Sequence, residues 1–445
     1  MVSVRVACKL ISTSRSRSNA AMGNVRSVER AFSPLDEELG LLSESLTPRL
    51  AESVVRMGTW MPFGRAAQEL EHLLGVQVSE ASVRRLSERA GASYVAVQEA
   101  EVERLERELP AAPAGPQLQL LSVDGAMVPL LNKQWVEVKT LAVGEVGQEI
   151  NRQGERVIRT KELSYFSRCS EASVFARQAM CETHRRGVES AKTVCGVADG
   201  AEWVQGFIDY HRVDAIRILD FPHAAEHLAE AGRASLGEQS KQFPVWLDKQ
   251  RHELRHGSSE QVLAGLSRLR AKDEAASEVI RQQVGYFEKR REMIRYAEFE
   301  QAGYPIGSGC VESANKLVVE ARLKQAGMHW APNHINPMVA LRNVACNDRW
   351  EEAWPQIVAH QQQARQEKKL RDHPLPTATR VISEVRAKPL SPPESPSPTV
   401  ADVEQENRKA APKQKSRPPA NHPWRCFNFG KRYRQNNSGG SGAKL

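Results

Sequence analysis

A chain of 445 residues has room for two or three domains and a sizeable core. Its 62 Lys and Arg against 54 Asp and Glu leave a formal net charge of +8. That favours an anionic partner, nucleic acid ahead of an anionic membrane surface, and also suits an ordinary basic enzyme.

The seven cysteines are scattered and form no C-x-x-C, which argues against a zinc knuckle or a disulfide framework and suits a reducing cytoplasm. No run approaches the ~18 apolar residues needed to span a bilayer. Residues 1–30 carry Arg and Ser without the apolar segment of a secretory signal, and read as a disordered basic leader.

Residues 31–109 read as a helical domain. The stretch 63–75 is a short amphipathic helix ending in Gly75; Ser79 is an N-cap for a second helix, and Gly91 its stop. Two short helices about a glycine-containing turn, at about 63–91, match a helix-turn-helix. Ser82, Arg84, Arg85 and Arg89 then become available to DNA; the plain alternative is a helical hairpin with a solvated basic face. A charged helix continues over 94–108, and 110–117, with three prolines, is a linker.

A new unit opens at 117. The run 120–123 (LLSV) is a buried strand that ends in Asp124 and Gly125. A second strand covers 135–143, the polar stretch 144–160 is a turn or hairpin tip, and a third strand covers 163–168. A helix at 171–186, a strand at 193–198, a helix at 201–211 and a strand at 215–219 complete a βββαβαβ order. Three strands stop at acids: Asp124, Asp199 and Asp220. Burying one carboxylate costs several kcal/mol unless a cation holds it. An Arg or Lys is the bland partner; a metal ion is the other.

Residues 224–302 read as all helix. A glycine-rich turn at 303–309 leads into a helix with Glu312 in its first turn, and Glu312, Asn315, Lys316 and Val319 fall on one face at helical spacing. The helix ends by 327–330. From 361 to 445 the composition turns to Gln, Lys, Arg, Pro and Ser, a disordered basic tail with a small island at 422–425. Converging carboxylates repel unless cations bind them. Two hard divalent ions suit an all-oxygen ligand set and in-line phosphoryl transfer, and a basic chain supplies the field for phosphates.

The motifs SVDGAMVP at 122–129, WVEVKT at 135–140, DGAEW at 199–203, ILDFPH at 218–223 and IGSGCVES at 306–313 together resemble bacterial insertion-sequence DDE transposases, in particular the ISKra-four type, related to Mutator-like elements. The resemblance covers roughly residues 31–350 and the island at 422–425. It implies an α/β protein: an RNase H-like catalytic domain (117–223 and 303–350) with an all-α insertion (224–302), preceded by the α-helical helix-turn-helix domain. It implies a catalytic, metal-binding triad of Asp124, Asp199 and Glu312, two Mg²⁺ or Mn²⁺ ions, and double-stranded DNA (element ends and target) as partner. A homodimer or higher assembly on DNA and a bacterial, cytoplasmic, nucleoid-associated setting follow from the same likeness. Asp220 and His223 fit a Cys-or-Asp, two residues, His signature of the related families, which gives them a supporting role; Asp220 remains the rival for the second acid. Lys316, Arg322 and Lys324 are candidates to track phosphates, or a solvated helix face. Other expectations are an RNase H-like nuclease or resolvase, and a DNA-binding regulator with a dead catalytic domain.

Overall fold

The structure, a computed structural model, describes residues 46–372. The basic leader, most of the basic tail and the island at 422–425 lie outside the described residues. Local signals start each N-terminal helix. Helix α1 (Pro48–Trp60) has a proline in its first turn, and the Thr47 hydroxyl accepts the Leu50 amide at 3.4 Å. Helix α2 (Phe63–Leu74) ends at Gly75, whose φ of 65° is left-handed. Helix α3 (Glu80–Glu108) is capped by the Ser79 hydroxyl, which accepts the Ser82 amide at 3.2 Å.

Gly91 does not stop that helix; α3 runs on through it for 29 residues in all. The glycine serves packing instead. A Cβ there would overlap the backbone of Pro337, so only glycine lets the two helices lie this close. Pro337 sits in α13 (Pro332–Cys346). Val54, Val55, Ala66, Leu70, Val83 and Leu86 from α1–α3 share one core with Leu341 and Val344 of α13 and with Trp350, Ala353 and Ile357 of α14 (Trp350–Asp372). The N-terminal helices therefore build their core jointly with the last two described helices. Helix α14 also corrects the tail's expected start at 361, since it is helical through Asp372.

The centre is a mixed five-stranded sheet of order β3-β2-β1-β4-β5, which makes the chain an α/β protein. The strands are β1 (Leu118–Pro129), β2 (Trp135–Ile150), β3 (Arg156–Arg168), β4 (Thr193–Ala198) and β5 (Ile216–Leu219). β2 and β3 form an antiparallel hairpin, while β1–β4 and β4–β5 are parallel. The parallel links need crossovers, supplied by α4 (Ala172–Arg185) and α5 (Glu202–His211). The hairpin tip is shorter than expected. Its strands extend to Ile150 and from Arg156, leaving a turn in which Asn151 Oδ1 accepts the amides of Gln153 and Glu155, each at 2.9 Å.

Side-chain alternation divides the sheet between two cores. Leu121, Val123, Val194 and Ala198 pack with Phe175, Ala179, Val204 and Phe207 of α4 and α5. Leu120, Cys195, Val197 and Ile218 face the other way, onto Leu228, Leu254, Leu266, Phe287 and Tyr296. Those last residues belong to a helical block: α6 (Phe221–Leu236), α7 (Gln242–His256), α8 (Ser259–Ser267), α9 (Glu274–Lys289), a 3-10 turn (Arg291–Ile294) and α10 (Tyr296–Gln301). This is the all-helical stretch expected over 224–302.

The Glu312 segment follows as α11 (Gly309–Ala314), a π-helical turn (Asn315–Glu320) and α12 (Ala321–Leu323). Its apolar residues Val318, Val319 and Leu323 pack with Ala126 and Val128 of β1, with Leu130 just beyond it and with Trp330. Among the described residues, no helix is long and apolar enough to cross a membrane.

Candidate active site at the acidic edge of the sheet

Strand register brings the acids level. Every paired β1 residue meets the β4 residue 75 positions on, from Leu118 with Thr193 to Leu121 with Gly196. Carried forward, that register sets Asp124 level with Asp199. The β4–β5 register runs from Cys195 with Ile216 to Ala198 with Leu219, and one further step sets Asp199 level with Asp220. Neighbouring strands lie about 4.8 Å apart. Asp199 is thus one strand from Asp124, and Asp220 is two strands away.

Asp124 does not end its strand, as the sequence suggested; β1 continues to Pro129. Just past its end, Leu130 bridges to Trp330, and the Trp330 amide donates to the Pro129 carbonyl at 3.1 Å. Gly125 gives room for Glu137, whose carboxylate any Cβ at 125 would strike. The Asp124 carboxylate accepts the Gly125 amide on Oδ1 at 2.7 Å and the Asn315 side-chain amide on Oδ2 at 2.8 Å. Burial pushes its pKa up to about 7; the negative charges of Asp199 and Glu312 add to the rise, and the two hydrogen bonds oppose it.

Asp199 follows β4 directly and is half-buried. Its Oδ1 accepts the Ala201 amide at 3.0 Å as the chain turns into α5. Glu312 is exposed, in the first turn of α11. One turn later Asn315 is buried, with its Nδ2 on Asp124 and its Oδ1 without a protein hydrogen-bond partner. The π turn begins at Asn315, and such turns are frequent at functional sites. It breaks the single face expected from helical spacing: Asn315 and Val319 point inward, while Glu312 and Lys316 are exposed. Buried Arg342 closes the turn from behind, its guanidinium donating to the Leu317 and Val318 carbonyls. The sequence places Asn315 one turn after Glu312; its bond to Asp124 spans 191 positions and leaves no local signal.

Asp220 stands differently. It is buried, and both oxygens accept backbone amides: His223 on Oδ2 at 2.9 Å and Ser308 on Oδ1 at 2.6 Å. It caps α6 and anchors the glycine-rich turn before α11. His223 lies with its Nε2 3.2 Å from Nε2 of His227.

The donors are of the chemical type a hard cation takes: three carboxylates, with the buried, unpartnered Asn315 Oδ1 beside Asp124, are all oxygen. Among the described residues, however, no three His, Cys, Asp or Glu side chains are gathered as a group that could hold a metal ion. Asp199 and Glu312 act on Asp124 electrostatically without forming a closed ligand shell.

The expected DNA-contacting residues divide. Arg84 and Arg85 are exposed; Ser82 and Arg89 are half-buried, and Arg85 donates to the Ser82 hydroxyl at 3.2 Å. Lys316 is exposed, and Lys324 pairs with Glu320 at 2.9 Å. Arg322 cannot track phosphates. It is fully buried, donates to the Gly58 carbonyl at 3.0 Å and lies between the rings of Phe63 and Trp330, 4.5 and 5.1 Å from their centroids. Burial lowers its pKa to about 10. Trp330 is a core residue, stacked edge-on to Phe63. No protein-family model matches the chain, and no curated protein matches it.

Proposed function

We propose that the chain is a DDE transposase with an RNase H-like catalytic core, which binds the ends of its own insertion sequence and cuts and joins DNA strands. The observation that carries this reading is Asp124, a carboxyl pushed up to about 7 by burial while Asp199 and Glu312 add like charge beside it. A buried carboxyl whose pKa is raised by burial beside two other acids is a candidate functional site. Asp124, Asp199 and Glu312 would hold two Mg²⁺ or Mn²⁺ ions, which when bound activate water or a 3′-hydroxyl and stabilise the leaving 3′-oxygen.

The chain's own residues do the rest. Asn315 orients Asp124 and links it to the Glu312 segment. The net positive charge draws in the DNA backbone. Arg84 and Arg85, exposed on α3, meet DNA across the α2–α3 helix-turn-helix, with Ser82 and Arg89 beside them. Joining two element ends calls for at least two copies on DNA.

The test is cleavage and strand transfer on labelled DNA from the ends of the encoding element, in Mg²⁺ or Mn²⁺. Asp124→Asn, Asp199→Asn and Glu312→Gln each lose on the order of 10³-fold or more, while folded Asp220→Asn keeps cutting. If Asp199→Asn cuts normally and folded Asp220→Asn does not, the second acid is misassigned. End binding without any cutting by the wild type would favour a DNA-binding regulator.

A further inference from the structure

The helical block reaches back over the sheet and grips the turn that carries Asp199. The Tyr286 hydroxyl, on α9, donates to the Asp199 carbonyl at 2.9 Å. Arg290, one turn on, donates to the Gly200 carbonyl through Nη2 at 2.7 Å and Nε at 3.3 Å. These two adjacent carbonyls thus receive three hydrogen bonds from two side chains nearly 90 positions away. Gly200 has a φ of 79°, a left-handed conformation that favours glycine, and a Cβ there would press on the Arg290 side chain.

The grip is itself held rigid. The Tyr286 ring is stacked between two groups: the His227 imidazole lies 3.8 Å away at 21°, and the Arg290 guanidinium carbon lies 3.9 Å from the ring centroid. His227 is fixed in turn by Gln283, at 2.6 Å from its Nδ1, and by His223, at 3.2 Å from its Nε2. The His223 amide then closes the path on Asp220 at 2.9 Å. Every link runs between α9, α6 and the two acid-bearing turns.

We infer that Tyr286 and Arg290 are positioning residues: the helical block clamps the Asp199–Gly200 turn through its carbonyls and so sets where the second carboxylate stands. A turn that depends on hydrogen bonds from another element stays put only while that element is docked. An error of about 1 Å in a reacting group can cost on the order of a hundredfold in rate. The inference rests on the transposase reading for its catalytic consequence, but the clamp can be read without it.

The experiment uses the full-length protein with Tyr286→Phe, Arg290→Met and Arg290→Lys. Tyr286→Phe keeps the ring and its stacking and removes only the hydroxyl. Hydrogen exchange is followed at residues 199–202 without metal or DNA, and end cleavage is followed separately. The expected result is about tenfold faster exchange in this turn for Tyr286→Phe and Arg290→Met, partial rescue by Arg290→Lys, and unchanged protection in β4 and β5. In cleavage, kcat falls about tenfold while KM for the DNA holds. Unchanged exchange in both variants overturns the clamp, and so does loosening spread over the whole sheet. Faster exchange with wild-type kcat overturns the positioning role. A wild type that never cuts sinks the transposase reading and leaves exchange to decide the clamp.

Discussion

Asp124 and Asp220 are the same residue type on the same edge of one sheet, two strands apart, in opposite electrostatic circumstances. Asp220 is buried with both oxygens on backbone amides. Asp124 has one backbone amide and one side-chain amide, and its pKa climbs to about 7. What separates them is the chain that follows each. After Asp220 the chain turns at once into α6 and meets the 307–309 turn, so two amides point at the carboxylate. After Asp124 the chain stays extended for five more residues; the Gly125 amide turns to its carboxylate, and the second donor, Asn315, comes from a distant helical segment. Acids level along one sheet are therefore not equivalent candidates: the one held by two backbone amides that fix a helix cap and a turn serves the fold, and the one held by a single backbone amide and a side chain, beside two other acids, is available for chemistry.

The sharpest way to break this contrast is to remove each charge and measure stability by urea denaturation at pH 8. Asp220→Ala leaves two amides without their acceptor, one of them the Ser308 amide, in a buried setting. Hydrogen bonds to a charged group contribute about 1.5–3 kcal/mol each, so a loss of roughly 3 kcal/mol or more is expected. Asp124→Asn removes a charge whose burial is poorly offset, and the substitution is expected to be neutral or to stabilise by about 1 kcal/mol. Equal losses at the two positions would erase the distinction.

Acidity offers a second and smaller handle, because the buried groups pull stability in opposite directions. Asp124 has a folded pKa near 7 against an ordinary 3.8. Its contribution is fully present below about pH 4 and is lost as pH rises through 7. His211 and His227 are both lowered by burial from 6.5 to about 4. They charge more readily in the unfolded chain, so their contribution is present above pH 6.5 and is lost as pH falls toward 4. The metal-free protein should therefore change less in stability between pH 4 and 7 than either set alone would give. Asp124→Asn unmasks the histidine slope, with stability rising steadily from pH 4 to 6.5. His211→Gln tilts the balance the other way. Denaturation midpoints at half-unit pH steps read both.

What the sequence carries well is whatever is decided within a few residues. Ser79 as a cap, Gly75 as a helix end, the β4 strand with Asp199 just beyond it and the helical stretch after 223 all follow from local turn and capping chemistry. The errors at Gly91 and Arg322 share one cause, a partner far along the chain. Gly91 looks like a helix stop because a packing glycine and a terminating glycine are the same letter; the Pro337 backbone decides which it is. Arg322 carries a charge that suggests a surface, yet Gly58, Phe63 and Trp330 accept it inside. The three acids could be named from the sequence, but their levels along the edge come from strand register, and the π turn that puts Asn315 on Asp124 has no sequence period to reveal it.

The smallest expected effect on stability tests the donor count most directly. Asn315 supplies one of the two hydrogen bonds that restrain the Asp124 pKa, and its own Oδ1 is buried without a protein partner. Asn315→Leu keeps roughly the same volume. It deletes a hydrogen bond to a carboxylate, which costs stability, and it also deletes an unsatisfied buried oxygen, which returns about 1–3 kcal/mol. The two terms have similar size, so net stability at pH 5 should change by less than about 1 kcal/mol. The titration should not be so forgiving. With one donor gone, the pH at which the stabilising contribution of Asp124 disappears shifts above 7. Asn315→Asp, which adds a charge in place of a donor, pushes the same way and further. A midpoint that stays at 7 in Asn315→Leu would mean that the Asn315 hydrogen bond plays no part in the acidity of Asp124 and that its burial and neighbouring charges set it.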